Sequence, residues 1–270
     1  PAPLAVDVQV SANSASTGSS LTATGLTTTQ AGDVLVAFVS AEGPLTSGSQ
    51  SATVTGAGLA WSLVKRENTQ FGTSEVWTAT APAVLSNASV VSTLTATGYK
   101  QSLTVTAFSG SSGVGASAGA NANQGAPSVS VTTTAAGSLV YGVGYDWDAA
   151  VARTLGNGQS MVNQHLAFDA GSFWVQRLSA PTASAGTSAT INATAPTLDR
   201  WNLVAVEIKP AVSSATATPI LNTVADGLAP ADIVYDVAGN TTRLADMQFS
   251  YDAAGRHAGT AYDDGSTLTL

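Results

Sequence analysis

Short runs of Val, Thr, Leu and aromatic residues, cut apart by Gly, Ser, Asn and Pro, recur along most of this chain. Antiparallel strands of a sandwich or barrel are built from such runs. "GDVLVAFVSAE" (Gly32–Glu42) is apolar on both faces, as a central strand buried on both sides must be. "LAWSLVKRE" alternates instead and sets Leu59, Trp61 and Leu63 on one face, with Trp61 in the core. "SEVWTATA", "ASVVSTLTAT", "SLTVTAFSG", "SFWVQRLSA", "SATINATA" and "WNLVAVEIKP" read the same way. No stretch keeps a helical period beyond two turns, so helix is expected to be close to absent.

The strands are written twice. "LTTTQAGDVLVAFVSAEG" (Leu26–Gly43) matches "VTTTAAGSLVYGVGYDWD" (Val131–Asp148) in order and spacing, and "SLTVTAFSG" occupies in the first half the place of "WNLVAVEIKP" in the second. A repeat this long is no solenoid unit. It implies two related sets of strands, forming two small sandwiches or one larger sandwich with pseudo-twofold symmetry. Only "SGSSGVGASAGANANQGAP" separates the halves, which favours the single sandwich, and its "VGASAGANA" centre reads as a strand of its own. The expected fold is all-β: a jelly-roll-like β-sandwich with pseudo-repeated halves over residues 1–210, a linker over 211–230, and a different segment over 231–270.

That last segment carries one phrase twice, Tyr235-Asp236-Val237-Ala238-Gly239-Asn240 and Tyr251-Asp252-Ala253-Ala254-Gly255-Arg256. Asp followed three residues later by Gly makes a tight turn, the carboxylate capping backbone N–H groups and the Gly taking positive φ. The phrases resemble the YD-repeat (Rhs) family, with Tyr235, Asp236, Gly239 and Asn240 fitting one copy and Tyr251, Asp252, Gly255 and Arg256 the next. The resemblance implies β-hairpins. Family members wind many copies into a large shell around a toxin, and two copies and a fraction enclose nothing, so that role does not carry over. The first 210 residues, in phrases such as "AGDVLVAFVSAEGP", "GSLVYGVGYDWDAAVARTLG" and "DRWNLVAVEIKP", resemble a β-sandwich module of large secreted or surface bacterial proteins. That resemblance implies an extracellular, non-catalytic role and names no ligand.

Composition narrows the partners. Charged residues make up only 10% of the 270, so Ser, Thr, Gly, Asn and Gln must build much of the surface. That suits a secreted or cell-surface protein. Acidic residues outnumber basic ones 17 to 9, for a net charge of -8, and no basic cluster exists to displace the counterions of a nucleic acid. No apolar run is long enough to span a bilayer, so membrane insertion is not expected. With no cysteine, disulfides and thiolate metal sites are excluded. The chain begins at Pro1 without a methionine and reads as a processed product or a fragment.

Catalytic chemistry finds little support. The two histidines, His165 and His257, have no Gly-x-Ser-x-Gly elbow to serve. Glu42, Glu67, Glu75, Asp146, Asp148, Asp169, Asp199 and Glu207 are available as a facing carboxylate pair, but nothing in their spacing singles one out. No cofactor is expected. Asp146 with Asp148, or Asp263 with Asp264, is at most a weak structural calcium site, because calcium wants six or more oxygens.

A sugar-binding face is the better reading. Sugar rings stack on exposed aromatic faces while neighbouring Asp, Asn and Gln accept their hydroxyl hydrogens. Trp147 follows the strand ending at Tyr145 and stands between Asp146 and Asp148, a place that would also suit a Trp plugging the end of the sandwich. Trp174 shares a face with Gln176, and Trp201 lies opposite Val204, Val206 and Ile208. The candidate carbohydrate site is therefore Tyr145, Asp146, Trp147, Asp148, Trp174, Gln176 and Trp201. The expected function is non-catalytic adhesion or recognition with a polysaccharide or glycan as partner. The alternatives are a structural subunit that binds copies of itself through its C-terminal hairpins and a polysaccharide-degrading enzyme.

Overall fold

A computed structural model describes residues 2–211, 233–244, 247–262 and 265–269. Most of the expected linker, as well as Asp263 and Asp264, lies outside them. The chain divides into two compact units, Pro1–Val212 and Ser213–Leu270, and the described residues form β-strands and no helix.

The first half supplies β1 (Ala5–Asn13), β2 (Ser20–Leu26), β3 (Val34–Ala41), β4 (Ala52–Gly56), β5 (Ser62–Glu67), β6 (Thr73–Thr80), β7 (Ala88–Leu94) and β8 (Gln101–Ser109). The second supplies β9 (Ser111–Ala122), β10 (Ser128–Thr132), β11 (Leu139–Asp146), β12 (Thr154–Leu155), β13 (Gln159–Ala167), β14 (Gly171–Leu178), β15 (Ser188–Ala195) and β16 (Trp201–Pro210). Strand β9 contains the Gly/Ala-rich stretch that separates the two halves in sequence.

The two sets have one topology. A five-stranded sheet β1-β8-β3-β6-β5 faces a three-stranded sheet β2-β7-β4, and the second half repeats this as β9-β16-β11-β14-β13 over β10-β15-β12. All pairings are antiparallel, and each half is a β-sandwich of five strands over three. Each has its own core. Leu35, Ala37, Val39, Leu103 and Val105 meet Leu26, Val54 and Val90 in the first. Val140, Trp174, Leu203 and Ala205 meet Val129, Val131 and Ile191 in the second.

The single shared sandwich favoured by the short connection therefore gives way to two sandwiches packed back to back. A third apolar layer joins their five-stranded sheets: Val34, Val36, Phe38, Val76 and Phe108 pack on Tyr141, Val143, Val175, Val204, Val206 and Ile208. This explains why β3 and β11 are buried along their whole length. One face fills its own sandwich and the other fills the seam. Phe38 stacks on Tyr141 at 5.5 Å, with Phe108 edge-on at 5.3 Å.

One strand is irregular. Leu59 and Trp61 pack on the first core, and Leu63 stays paired with Trp77 on that side but is 40% exposed on the edge strand; the pairing of β5 with β6 then slips between Leu63 and Lys65, and Val64 turns to the seam. A β-bulge inserts one residue and reverses the alternation after it.

The second unit is an antiparallel meander of β17 (Ile233–Tyr235), β18 (Thr241–Leu244), β19 (Met247–Tyr251), β20 (His257–Tyr262) and β21 (Thr267–Thr269). Its Tyr-Asp phrases form two matching turns. Asp236 Oδ1 accepts the N–H groups of Ala238 and Asn240, and Asp252 Oδ1 those of Ala254 and Arg256, all at 2.9 Å. Gly239 and Gly255 take φ of 85° and 76°. Asn240 and Arg256 each return a side-chain hydrogen bond to the turn carboxylate, at 2.9 and 2.8 Å. The Tyr251 hydroxyl donates to the Thr241 carbonyl on β18 at 2.8 Å, while Tyr235 pairs with Thr241 across the first turn.

Candidate functional site at the seam of the two sandwiches

Strands β3 and β11 finish at the same end of the seam, and the chain leaves them in the same way. Glu42 N–H donates to the Lys100 carbonyl at 2.9 Å, and Trp147 N–H to the Arg200 carbonyl at 3.3 Å. By the strand register, Glu42 is the counterpart of Trp147 and Lys100 that of Arg200. Equivalent loops of the two halves converge here with different side chains.

A pocket of about 200 Å³ opens between them, lined by Glu42, Trp147, Asp148, Phe168, Asp169, Ala170 and Gly171. Phe168 is 100% exposed at the turn between β13 and β14. Trp147 is half-buried, its ring edge-on to Phe71 at 5.3 Å. The Arg200 guanidinium lies over Phe71 at 4.2 Å and reaches Trp147 at 5.6 Å. Asp148 accepts the Arg200 peptide N–H at 2.5 Å, and its other oxygen lies 3.4 Å from Arg200 Nε. The Lys100 ammonium meets Asp169 at 2.5 Å, and this hydrogen bond holds the Asp169 carboxyl below its ordinary pKa. Among the described residues only the Lys100 peptide N–H donates to the Glu42 carboxylate, at 3.2 Å, and loss of water raises the Glu42 pKa.

The floor is rigid. Gly171 takes φ of 93°, and a Cβ there would stand 2.0 Å from the Asp146 carbonyl, so the turn that presents Phe168 passes tightly over the end of β11. Ser172 Oγ accepts the Val151 N–H at 3.0 Å and donates to the Ala149 carbonyl at 2.7 Å, pinning the loop that follows Trp147. Beneath it Asp146 pairs with Arg153, both side chains wholly buried, and Asp146 also caps the Asp148 and Ala149 N–H groups. Burial lowers the Arg153 pKa to about 10, and its guanidinium lies 4.7 Å from the centre of the Trp174 ring.

Of the seven residues of the expected carbohydrate site only Trp147 and Asp148 line this pocket, and they are joined there by Glu42 and Asp169 from the candidate carboxylates. Tyr145 is buried, its hydroxyl on the Ala170 carbonyl at 2.7 Å, and burial raises its pKa well above the ordinary value. Asp146 is consumed by Arg153. Trp174 and Gln176 do share a face, but that face is the core of the second sandwich, where Trp174 Nε1 donates to Gln176 Oε1 at 2.8 Å. The first half holds the same pair in reverse order: Trp77 Nε1 donates to Glu75 Oε2 at 2.9 Å, at the positions equivalent to Gln176 and Trp174. Both pairs give the indole N–H of a Trp packed on a core an acceptor two residues away on the same face. Trp201 does lie opposite Val204, Val206 and Ile208, but it is buried at 6% exposure and offers a ligand no face, with Nε1 on the Gly125 carbonyl at 2.8 Å. The residues of the Tyr-Asp phrases lie in the second unit, in its two turns.

Two candidate carboxylates are also fully committed. Glu207 accepts five hydrogen bonds, from Ala116 N–H, Thr134 N–H and Oγ1, Ala135 N–H and Ser138 Oγ. Glu75 takes Arg66, Thr73, Trp77 and the Ala52 N–H. Among the described residues no three His, Asp or Glu side chains gather as a metal site. Sequence reading missed Phe168. Its one signal is a large apolar side chain in "AFDAG", a stretch otherwise made of turn and small residues.

No family model matches the chain, and neither a curated protein nor a solved structure matches it.

Proposed function

We propose that this protein is a non-catalytic extracellular or cell-surface recognition module that binds a glycan at the seam pocket. One observation carries the reading: Phe168 stands fully exposed on a turn fixed over β11, beside half-buried Trp147 and above a polar pocket bearing Glu42, Asp148 and Asp169. An isolated aromatic held in water at the lip of a polar pocket suits the C–H face of a sugar, with the carboxylates accepting its hydroxyls. Affinity electrophoresis through gels containing different polysaccharides tests this. Wild-type protein is retarded by at least one, and Phe168→Ala and Trp147→Ala are retarded less. Wild-type mobility unchanged by every polysaccharide sinks the reading.

A second reading rests on the other unit. Strand β21 is exposed along its length, and Leu268 on it is 50% exposed. An uncovered Thr-rich edge suits strand addition by another chain. In this reading the segment is an incomplete YD-repeat element through which copies associate. Light scattering at high concentration tests it, since a strictly monomeric full-length chain excludes it.

A further inference from the structure

We infer that the seam pocket selects a glycan bearing a free amine, with Glu42 as the group that pairs with it. The inference rests on the glycan reading above and goes further, to the charge of the sugar.

The argument is one of unmatched charge. Around the pocket stand three carboxylates, Glu42, Asp148 and Asp169, and two cations, Lys100 and Arg200. Each cation already faces a carboxylate. Lys100 Nζ is held by Asp169 at 2.5 Å, and the Arg200 guanidinium lies 4.2 Å from the centre of the Phe71 ring with its Nε 3.4 Å from Asp148. Glu42 is left over. The nearest ammonium has gone to Asp169, and Glu42 keeps a single hydrogen bond from a peptide N–H at 3.2 Å, on one of its two oxygens. Among the described residues no cation forms an ion pair with it.

A partly desolvated carboxylate lacking a counterion favours a cation brought by the ligand, and it repels another carboxylate or a sulfate. The exposed Phe168 ring on the same pocket supplies the stacking surface, which takes a sugar face and is indifferent to charge. The two requirements meet in an amino sugar: an apolar ring face for Phe168 and a protonated amine for Glu42. The chain's net charge of -8 acts in the same direction at longer range.

The test is calorimetric titration of the full chain with oligosaccharides of equal length made of glucosamine, N-acetylglucosamine or galacturonate. The expected order is glucosamine tightest by tenfold or more, N-acetylglucosamine weaker, and galacturonate undetectable. Glu42→Gln brings the ratio of glucosamine to N-acetylglucosamine affinity down to about one, since a neutral amide still meets sugar hydroxyls and no longer pairs with an amine. Phe168→Ala weakens both. Equal binding of the amine and its acetylated form, tighter binding of galacturonate, or a glucosamine preference that survives Glu42→Gln overturns the inference and leaves the glycan reading standing. Absence of heat with all three, together with unretarded migration through every polysaccharide gel, overturns both.

Discussion

Trp174 lies across Gly144: a Cβ placed on Gly144 would stand 2.1 Å from Trp174 Cζ2. The equivalent cross-strand pair in the first half is Val39 with Glu75, where a smaller group faces the larger Cβ. The second core accommodates its largest side chain through the missing Cβ of the facing strand. Gly144→Ala should therefore destabilise the first unit by about 1–3 kcal/mol, the usual penalty for overpacking. Urea unfolding followed by tryptophan fluorescence measures it, and an unchanged midpoint would mean that Trp174 has room to shift.

Arg153 and Asp146 are paired with no exposure to water. Removing one partner strands a buried charge, so Arg153→Met should cost about 3–5 kcal/mol. Asp146→Asn with Arg153→Met removes both charges, keeps a side-chain oxygen for the Asp148 and Ala149 N–H groups, and should recover much of that loss; Asp199, 3.9 Å from the Arg153 guanidinium, still loses its cation and keeps recovery from being full. A double variant no more stable than Arg153→Met alone would show that the pair acts by shape rather than charge.

Asp33 is 2% exposed, its Oδ2 has no hydrogen-bond partner, and burial with the nearby Asp7 carboxyl raises its pKa to about 6. A carboxyl whose pKa is higher folded than unfolded binds its proton more tightly in the native state. Its contribution to stability is complete below the unfolded value near 3.8 and is lost as pH rises through about 6. Asp33→Asn mimics the protonated group. It should be more stable than wild type at pH 7.5, by on the order of 1–3 kcal/mol, and the difference should vanish near pH 3.5. Thermal unfolding at the two pH values decides this, and a less stable variant at pH 7.5 would contradict it.

The turns of the second unit are built on Asp236 and Asp252, each lowered in pKa by the hydrogen bonds it accepts. Asp252→Ala should speed amide exchange at Ala254 and Arg256 and leave Ala238 and Asn240 unchanged, because each carboxylate serves only its own turn. Hydrogen exchange read by NMR separates the two. Equal acceleration in both turns would mean that the meander unfolds as one piece.

The duplication was legible because "TTTQAGDVLVAFV" and "TTTAAGSLVYGVG" keep their spacing, and burial of β3 and β11 on both faces followed from their unbroken apolar runs. What those runs do not encode is which layer covers each face. A strand buried on both sides looks the same in the middle of one large sandwich as it does between its own core and a seam. The same limit hid the fate of Trp174 and Trp201. Alternation placed each on the correct face, and that face is covered by the three-stranded sheet of the second half. Alternation placed Leu63 on the side of its partner Trp77, but it does not encode that β5 is an edge strand, where that side chain stays 40% exposed. Phe168 escaped notice for the opposite reason: a lone aromatic in a turn belongs to no periodic pattern, and only the fold reveals that it stands in water beside Trp147.

A glycan titration monitored by two-dimensional NMR locates the binding site on the chain. With whichever polysaccharide fragment retards the protein, the Trp147 indole N–H and the amides of Glu42, Asp148 and Phe168–Gly171 should shift together along one binding curve, while those of β17–β21 stay in place. Shifts confined to β17–β21, or to either three-stranded sheet, would contradict the account and move recognition away from the seam.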